Sequence, residues 1–413
     1  MPIHLVVGQK ATGDDFFDRE ALMDSLWTCL PRQSVELIAP RRFGKSSVMQ
    51  RLGDYPRKGC RVVLIDCEAF AHPQEVVQAL AAAVAPLDAA GRAAQKLDGA
   101  RRGIQGALGR LRSGKVGPTG IEVNLADPSH SSWSVSVGSI LQYARSHTGP
   151  TVVVLDEFSM MLENCLRHRR IEQSLAINLL TWLRRLRQQQ GEDVALAFVI
   201  GGSISLQYWL RRLGVSAMMN DLQRLEVEPF DGSTAGGFVL ALLESEHLRY
   251  EPTVPSAILR EIAPALPYWI QALVLALAHD ACRNRIVTPH DVSRLYREQI
   301  LGPAGRQYFQ PFDERLGNYD PAEANAARRL LTYLARDESV GSVPRETLAT
   351  IYTQASGSEA PEAFDAVMAD LESDFYVHYE EETKGYVFKH KVLRDWWLRW
   401  HGYSAEKMAG GTP

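Results

Sequence analysis

The sequence predicts an α/β fold with a parallel sheet, on three observations. Short apolar runs with the length and β-branched content of buried parallel strands recur before residue 230. The first, Val35 to Ile38, leads directly into Ala39-Pro40-Arg41-Arg42-Phe43-Gly44-Lys45-Ser46 and then into a helical pattern. A later run, Thr151 to Leu155, ends in Asp156-Glu157.

At 413 residues and 46% apolar content, the chain is long enough for two or three domains with real cores, and its ordinary charge content argues against disorder. A net charge of −4 gives no global attraction to nucleic acid or anionic membrane, so partners have to be argued locally. The five cysteines (Cys29, Cys60, Cys67, Cys165, Cys282) are scattered, with no C-x-x-C pair. That disfavours a disulfide framework or a zinc site and fits a reducing cytoplasm. Met1 to Lys10 lacks the basic start and apolar core of a signal peptide, and Leu266 to Ala278 is too short to cross a bilayer, so no membrane partner is expected.

A phosphate-cradling loop needs inward-pointing backbone N–H groups, a glycine at the close approach, a lysine for the β/γ-phosphates and a hydroxyl for Mg²⁺. Gly44, Lys45 and Ser46 supply the last three in order, with Pro40, Arg41, Arg42, Phe43 and Ser47 completing the candidate cradle. Ala39 occupies the place of the usual first glycine. Taken alone, the stretch also reads as a Pro/Gly turn carrying a surface lysine. Asp156 and Glu157 bear on that choice. Carboxylates closing a buried strand are costly unless paired, hydrated or beside a metal. If their strand lies beside the one feeding the loop, Asp156 holds Mg²⁺ opposite Ser46 and Glu157 polarises the attacking water. A solvated Asp-Glu turn is the plain alternative.

The rest follows in order. Gly13 to Leu30 reads as a loop and a helix, and the Phe17 to Glu20 corner, with Phe17 and Arg19, is a candidate cover for a nucleotide base. Arg61 to Asp66 is a second strand, with Asp66 at the end where sites in open sheets lie. His72 to Leu87 is helical. Ala89 to Ser113 is helical with Arg92, Lys96, Arg101, Arg102, Arg110 and Arg112, a solvated face rather than a nucleic-acid contact because interleaved aromatics are absent. Gly117 to Val137 reads as an inserted hairpin. A helix over Ile171 to Gln190 precedes the strand Val194 to Ile200, which closes in Gly201-Gly202-Ser203. Ser203 either senses the γ-phosphate or caps the next helix. Arg211, Arg212 and Arg224, before a fifth strand over Leu225 to Pro229, are candidates for an arginine finger.

Ser233 to Arg297 is helical by pattern, and Leu301 to Asp320, rich in Gly, Pro and Gln, reads as a linker. Three helices (Ala322 to Arg336, Pro344 to Tyr352, Pro361 to Ser373) and a hairpin (Phe375 to Tyr379, Tyr386 to Lys389) make a winged helix. Glu359, Glu362, Asp365, Asp370, Glu372 and Asp374 make its third helix acidic, and Glu380-Glu381-Glu382 flanks the wing tip. A DNA-facing surface needs the opposite sign, so a protein partner is favoured over DNA. Trp396, Trp397 and Trp400 on the last helix read as core. The expected boundaries are 1–230, 231–300, 301–320 and 321–413.

Phe17-Asp18-Arg19-Glu20, Pro40 to Ser46, Leu155-Asp156-Glu157, Gly202-Ser203 and Glu228-Pro229-Phe230 together resemble the archaeal-type ATPases of the AAA+/STAND group. The resemblance covers most of the chain, and the double arginine before Phe43-Gly44-Lys45 is its most specific part. It implies an ASCE-type P-loop NTPase core, a helical lid over residues 231–300 and use of ATP with Mg²⁺. Leu266-Pro267-Tyr268 resembles the family's helix start near the adenine, with Ala265 in a glycine's place, and Asp18 stands where many relatives have glycine. The expected activity is that of an ATP-binding, ATP-hydrolysing switch, with Lys45, Glu157 and Ser203 as catalytic candidates and Ser46 and Asp156 on the metal. A DNA-binding regulator or initiator-like loader, and a scaffold that binds nucleotide without turnover, stay open, as does a homo-oligomer.

Overall fold

The computed structural model describes residues 3–40, 42–84, 130–147, 149–168, 172–189, 194–202, 206–280, 285–317, 319–336 and 341–402. The chain forms two compact units, one of residues 19–39 and 45–227, the other of residues 1–18, 40–44 and 228–413.

The first unit is built on β1 (Val35–Ile38), β2 (Arg61–Asp66), β3 (Thr151–Asp156), β4 (Leu196–Gly202) and β5 (Gln223–Glu226). They form one parallel sheet in the order β2-β3-β4-β1-β5. Helices α1 (Glu20–Cys29), α2 (Lys45–Asp54), α3 (Pro73–Val84), α4 (His130–Arg145), α5 (Phe158–Glu163), α6 (Gln173–Gln188) and α7 (Leu206–Arg212) complete it. Every residue of β3 is buried, as a strand covered on both faces requires, and its Val152-Val153-Val154-Leu155 run is wholly apolar. Each such side chain contributes about 1.5–3 kcal/mol by leaving water. The amphipathic α6 buries Leu179, Leu180, Trp182, Leu183 and Leu186 at helical spacing.

Two expectations change here. The acidic strand β3 does not pair with β1, because β4 runs between them. Residues 130–137 do not form the second half of a hairpin but open α4. Residues 117–129, the basic stretch 89–113, Arg41 and Ser203 lie outside the described residues.

The second unit contains α8 (Gly232–Ser245), α9 (Val254–Glu261), α10 (Pro267–Asp280), α11 (Pro289–Leu295), α12 (Arg306–Leu316), α13 (Pro321–Arg336), α14 (Arg345–Ser356), α15 (Pro361–Ser373) and α16 (Lys391–His401). Strands β6 (Val343–Pro344), β7 (Val377–Glu380) and β8 (Gly385–Phe388) form an antiparallel sheet in the order β6-β8-β7. Asp231 caps α8, accepting from the amides of Ser233 and Thr234, and Thr288 with Asp291 makes a capping box on α11.

The stretch read as a linker holds α12, with Pro311 inside it. Phe309 of this helix stacks between Trp269, at 4.7 Å, and Trp396, at 4.9 Å, so the segment belongs to the packed interior. Of the three tryptophans read as core, Trp396 and Trp397 are buried and Trp400 is half-buried. The acidic character of α15 is narrower than the sequence suggests. Asp374, 1% exposed, faces the buried Arg315 at 3.5 Å, Asp370 is also buried, and Asp365 pairs with Arg345.

Candidate functional site

In parallel sheets, binding groups collect at the carboxyl ends of the strands. Register brings Leu37 of β1 opposite Gly201 of β4, and Leu155 of β3 opposite Ile200, so Asp156 and the start of the loop segment emerge at the same edge. Lys45 opens α2 and points back across that edge. Its Nζ donates to Asp156 Oδ1 at 3.2 Å and to Glu157 Oε1 at 3.5 Å, and its side chain is only 5% exposed. The carboxylate pair that burial would make costly is therefore answered by a buried cation from the loop, which rules out the reading of Lys45 as a surface residue.

Asp156 also accepts from the Glu157 amide at 3.0 Å, and Glu157 takes left-handed backbone angles, φ 53° and ψ 33°, at the turn into α5. A non-glycine residue there is strained by about 1 kcal/mol or more, and such strain gathers at functional sites. Ser46 and Ser47 follow Lys45 in the first turn of α2, Ser46 half-buried and Ser47 buried. Among the described residues no group of three His, Cys, Asp or Glu side chains could hold a metal. One carboxylate and one hydroxyl fit Mg²⁺, which is commonly held by one or two carboxylates, water and substrate phosphates.

Gly201 and Gly202, which the sequence reading named at the strand end without giving them a packing role, complete this edge. A Cβ on Gly201 would strike the Met49 methyl and press on Lys45 Cδ at 3.2 Å, and one on Gly202 would strike Ser159 Oγ. Bare backbone at the end of β4 is what lets the lysine lie over the sheet edge. The doublet itself was the available signal. Cys67, just past β2, is fully buried, and its thiol is pushed well up by burial first and then by the charges of Asp66, Asp156 and Glu157. Arg224 is committed elsewhere: its Nε donates to the buried Glu36 Oε2 at 2.8 Å, and Gln207 also reaches Glu36, at 3.3 Å. Arg212 donates to the Tyr208 hydroxyl at 3.1 Å, and Arg19 stands at the N-cap of α1.

The second unit carries Pro40, Arg42, Phe43 and Gly44 of the loop, together with Phe17 and Pro267. Ala39 is not among the residues with positive φ, so alanine in place of the first glycine carries no left-handed strain. Among the described loop residues the left-handed positions are Arg42, φ 71°, and Gly44, φ 88°. Arg42 is held by aromatic side chains. Its guanidinium lies 4.7 Å from the ring centres of both Tyr268 and Tyr308 and donates to the Tyr268 hydroxyl. Burial pushes the Tyr268 phenol up to about 12, against the opposing pull of Arg42. Phe43 is buried, with its ring 5.0 Å from that of His390. Phe17 packs on Phe238 at 5.1 Å and on Phe230 at 6.0 Å, and Pro267 opens α10. Asp18 has φ 34°, and Thr234 Oγ1 donates to its Oδ2 at 2.5 Å, which holds a carboxylate in a conformation that glycine adopts more easily.

A five-stranded parallel sheet in this order, with a buried loop lysine meeting the acid pair of the third strand, defines a P-loop α/β fold. The solved structure of a Walker-type ATPase of Pyrococcus abyssi is similar over 95% of this chain and 99% of its own, with a TM-score of 0.61 and 16% identity. That likeness establishes the fold. The ORC2 protein of Aeropyrum pernix in its ADPNP-ADP complexes (TM-score 0.47, 12% identity, 97% and 99% coverage) overlaps too loosely to carry an argument. The same holds for the ORC1 protein of that organism in complex with DNA (0.38, 14%, 95% and 95%). No protein-family model matches the sequence, and no curated protein matches it. Among the described residues no helix is long and apolar enough to cross a membrane.

Proposed function

We propose that the chain binds ATP and hydrolyses it with Mg²⁺, as a switch of the AAA+/STAND kind. The observation that carries this is the buried Lys45 bonded to both Asp156 and Glu157 at the carboxyl edge of the sheet. In this reading Lys45 exchanges its carboxylate partners for the β- and γ-phosphates, and the amides of residues 40–46 cradle them. Asp156 and Ser46 would hold Mg²⁺, which would supply positive charge beside the phosphates. Glu157, released from Lys45, orients the attacking water and accepts its proton. Ser203 contributes a γ-phosphate contact, and Phe17, Arg19 and Pro267 contact the base. Residues 231–300 act as a lid, and α13, α14, α15 and the β6-β8-β7 sheet act as a winged helix that passes nucleotide state to a protein partner. The acidic Glu380-Glu381-Glu382 at the hairpin favours such a partner over DNA. A phosphate-release assay with the wild type, Lys45→Ala and Glu157→Gln tests the proposal. Glu157→Gln should bind ATP normally and turn over at least 100-fold more slowly, whereas a wild type that binds ATP without releasing phosphate is a nucleotide-binding scaffold.

A further inference from the structure

The second unit contains a cleft of about 1020 Å³ whose chemistry the phosphate loop does not use. It lies among α9, α11 and α16, and its walls carry five cations, Arg297, Arg336, Lys391, Arg394 and Arg399, against two carboxylates, Glu261 and Asp395. The carboxylates are already answered. Lys391 Nζ lies 3.1 Å from Glu261 Oε2 and 2.8 Å from Asp395 Oδ2, Arg394 meets Asp395 Oδ1 at 3.0 Å, and the Tyr296 hydroxyl donates to Asp395 Oδ2 at 2.9 Å. The other three guanidiniums are held by backbone carbonyls. Arg336 donates to the oxygen of Gly402, Arg399 to that of Arg297, and Arg297 Nε to that of Ser293 at 3.1 Å. A carbonyl fixes an arginine in place without cancelling its charge. Among the described residues none of these three has an acidic partner, and all three are exposed.

We infer that this cleft binds a compact polyanion bearing two or more phosphate groups, at a site separate from the phosphate loop. Three fixed guanidiniums present planar donor forks that match phosphate oxygens, and the volume is at the upper end for a small-molecule site. A long nucleic acid fits less well. Lys391 and Arg394 also line a neighbouring cavity of about 380 Å³ that reaches Glu380. A chain leaving the cleft on that side meets the carboxylates of Glu380-Glu381-Glu382, which repel phosphates.

Inorganic tripolyphosphate is a suitable probe, titrated calorimetrically into full-length Lys45→Ala protein so that the phosphate loop does not contribute. One-to-one binding is expected, weakened tenfold or more by adding Arg336→Gln and Arg399→Gln, with far-ultraviolet dichroism unchanged. If that combination fails to fold, Arg297→Gln alone, on an exposed side chain, should weaken binding severalfold. Absence of binding, or binding indifferent to the arginines, overturns the inference, and so does duplex DNA that displaces the probe with the same arginine dependence. ATP turnover by Lys45→Ala would contradict the role of the phosphate loop and leave the arginine dependence as it is.

Discussion

Lys45 Nζ sits 3.2 Å from Asp156 Oδ1, a pair formed across the interposed strand β4 and not between neighbouring strands. The lysine offsets one of the two carboxylate charges, and in the function proposed above it exchanges these anions for those of a nucleotide. Removing it leaves two adjacent carboxylates without their cation. Lys45→Ala is therefore expected to weaken ATP binding by at least 100-fold in a fluorescent-nucleotide titration. It should also destabilise the protein by about 3 kcal/mol, the usual cost of breaking a buried pair. Unchanged affinity would remove the lysine from the site.

Gly201 separates two effects that the lysine substitution merges. Gly201→Ala forces the Met49 methyl aside and crowds Lys45 Cδ. Thermal stability should fall and recover in part when Met49→Ala is added, whereas ATP affinity should stay reduced in the double variant because the lysine remains displaced. Full recovery of both would show that only packing was at stake.

Arg42 is expected to couple energetically to the ring it lies over. A double-mutant cycle of Arg42→Ala and Tyr308→Leu, read by urea unfolding, should give an interaction of about 1 kcal/mol. Additive effects would mean that the loop arginine gains nothing from its aromatic neighbours.

His390 supplies a pH dependence. Burial, then the charges of Lys389 and His378, lower its ring to about 3, against a smaller opposing pull from the Lys389 backbone. The unfolded chain takes up a proton near pH 6.5 and the folded chain does not until about 3, so stability is lost as pH falls through that window. At about 1.4 kcal/mol per unit the loss amounts to several kcal/mol. Urea midpoints measured between pH 4 and 7 should show a shallower slope for His390→Leu than for the wild type, and parallel slopes would refute the assignment.

The parts of the site that stood in the sequence were those written in consecutive residues. Gly44-Lys45-Ser46 after Val35 to Ile38, and Asp156-Glu157 after Thr151 to Leu155, announce a strand end and its chemistry together. Strand order did not, because pairing β1 with β4 depends on residues more than 150 positions apart, and each run looks equally buried in one dimension. The anchoring of Arg42 was hidden for the same reason, since Tyr268 and Tyr308 are remote in sequence. The helix in the supposed linker was legible in part. Phe309, Phe312 and Leu316 fall at helical spacing, but Gly302, Pro303, Gly305 and Pro311 carry the stronger local signal of a break. Charge misled where it was paired out of sight, as Asp374 was by Arg315.

The column of Trp269, Phe309 and Trp396, stacked at 14° and 13° between successive planes, gives the second unit an optical signature of its own. Two indoles held rigidly on either face of one phenyl ring make an asymmetric chromophore. Its near-ultraviolet dichroic bands report whether α10, α12 and α16 are mutually seated, so packing of this unit can be followed with no label attached to the chain.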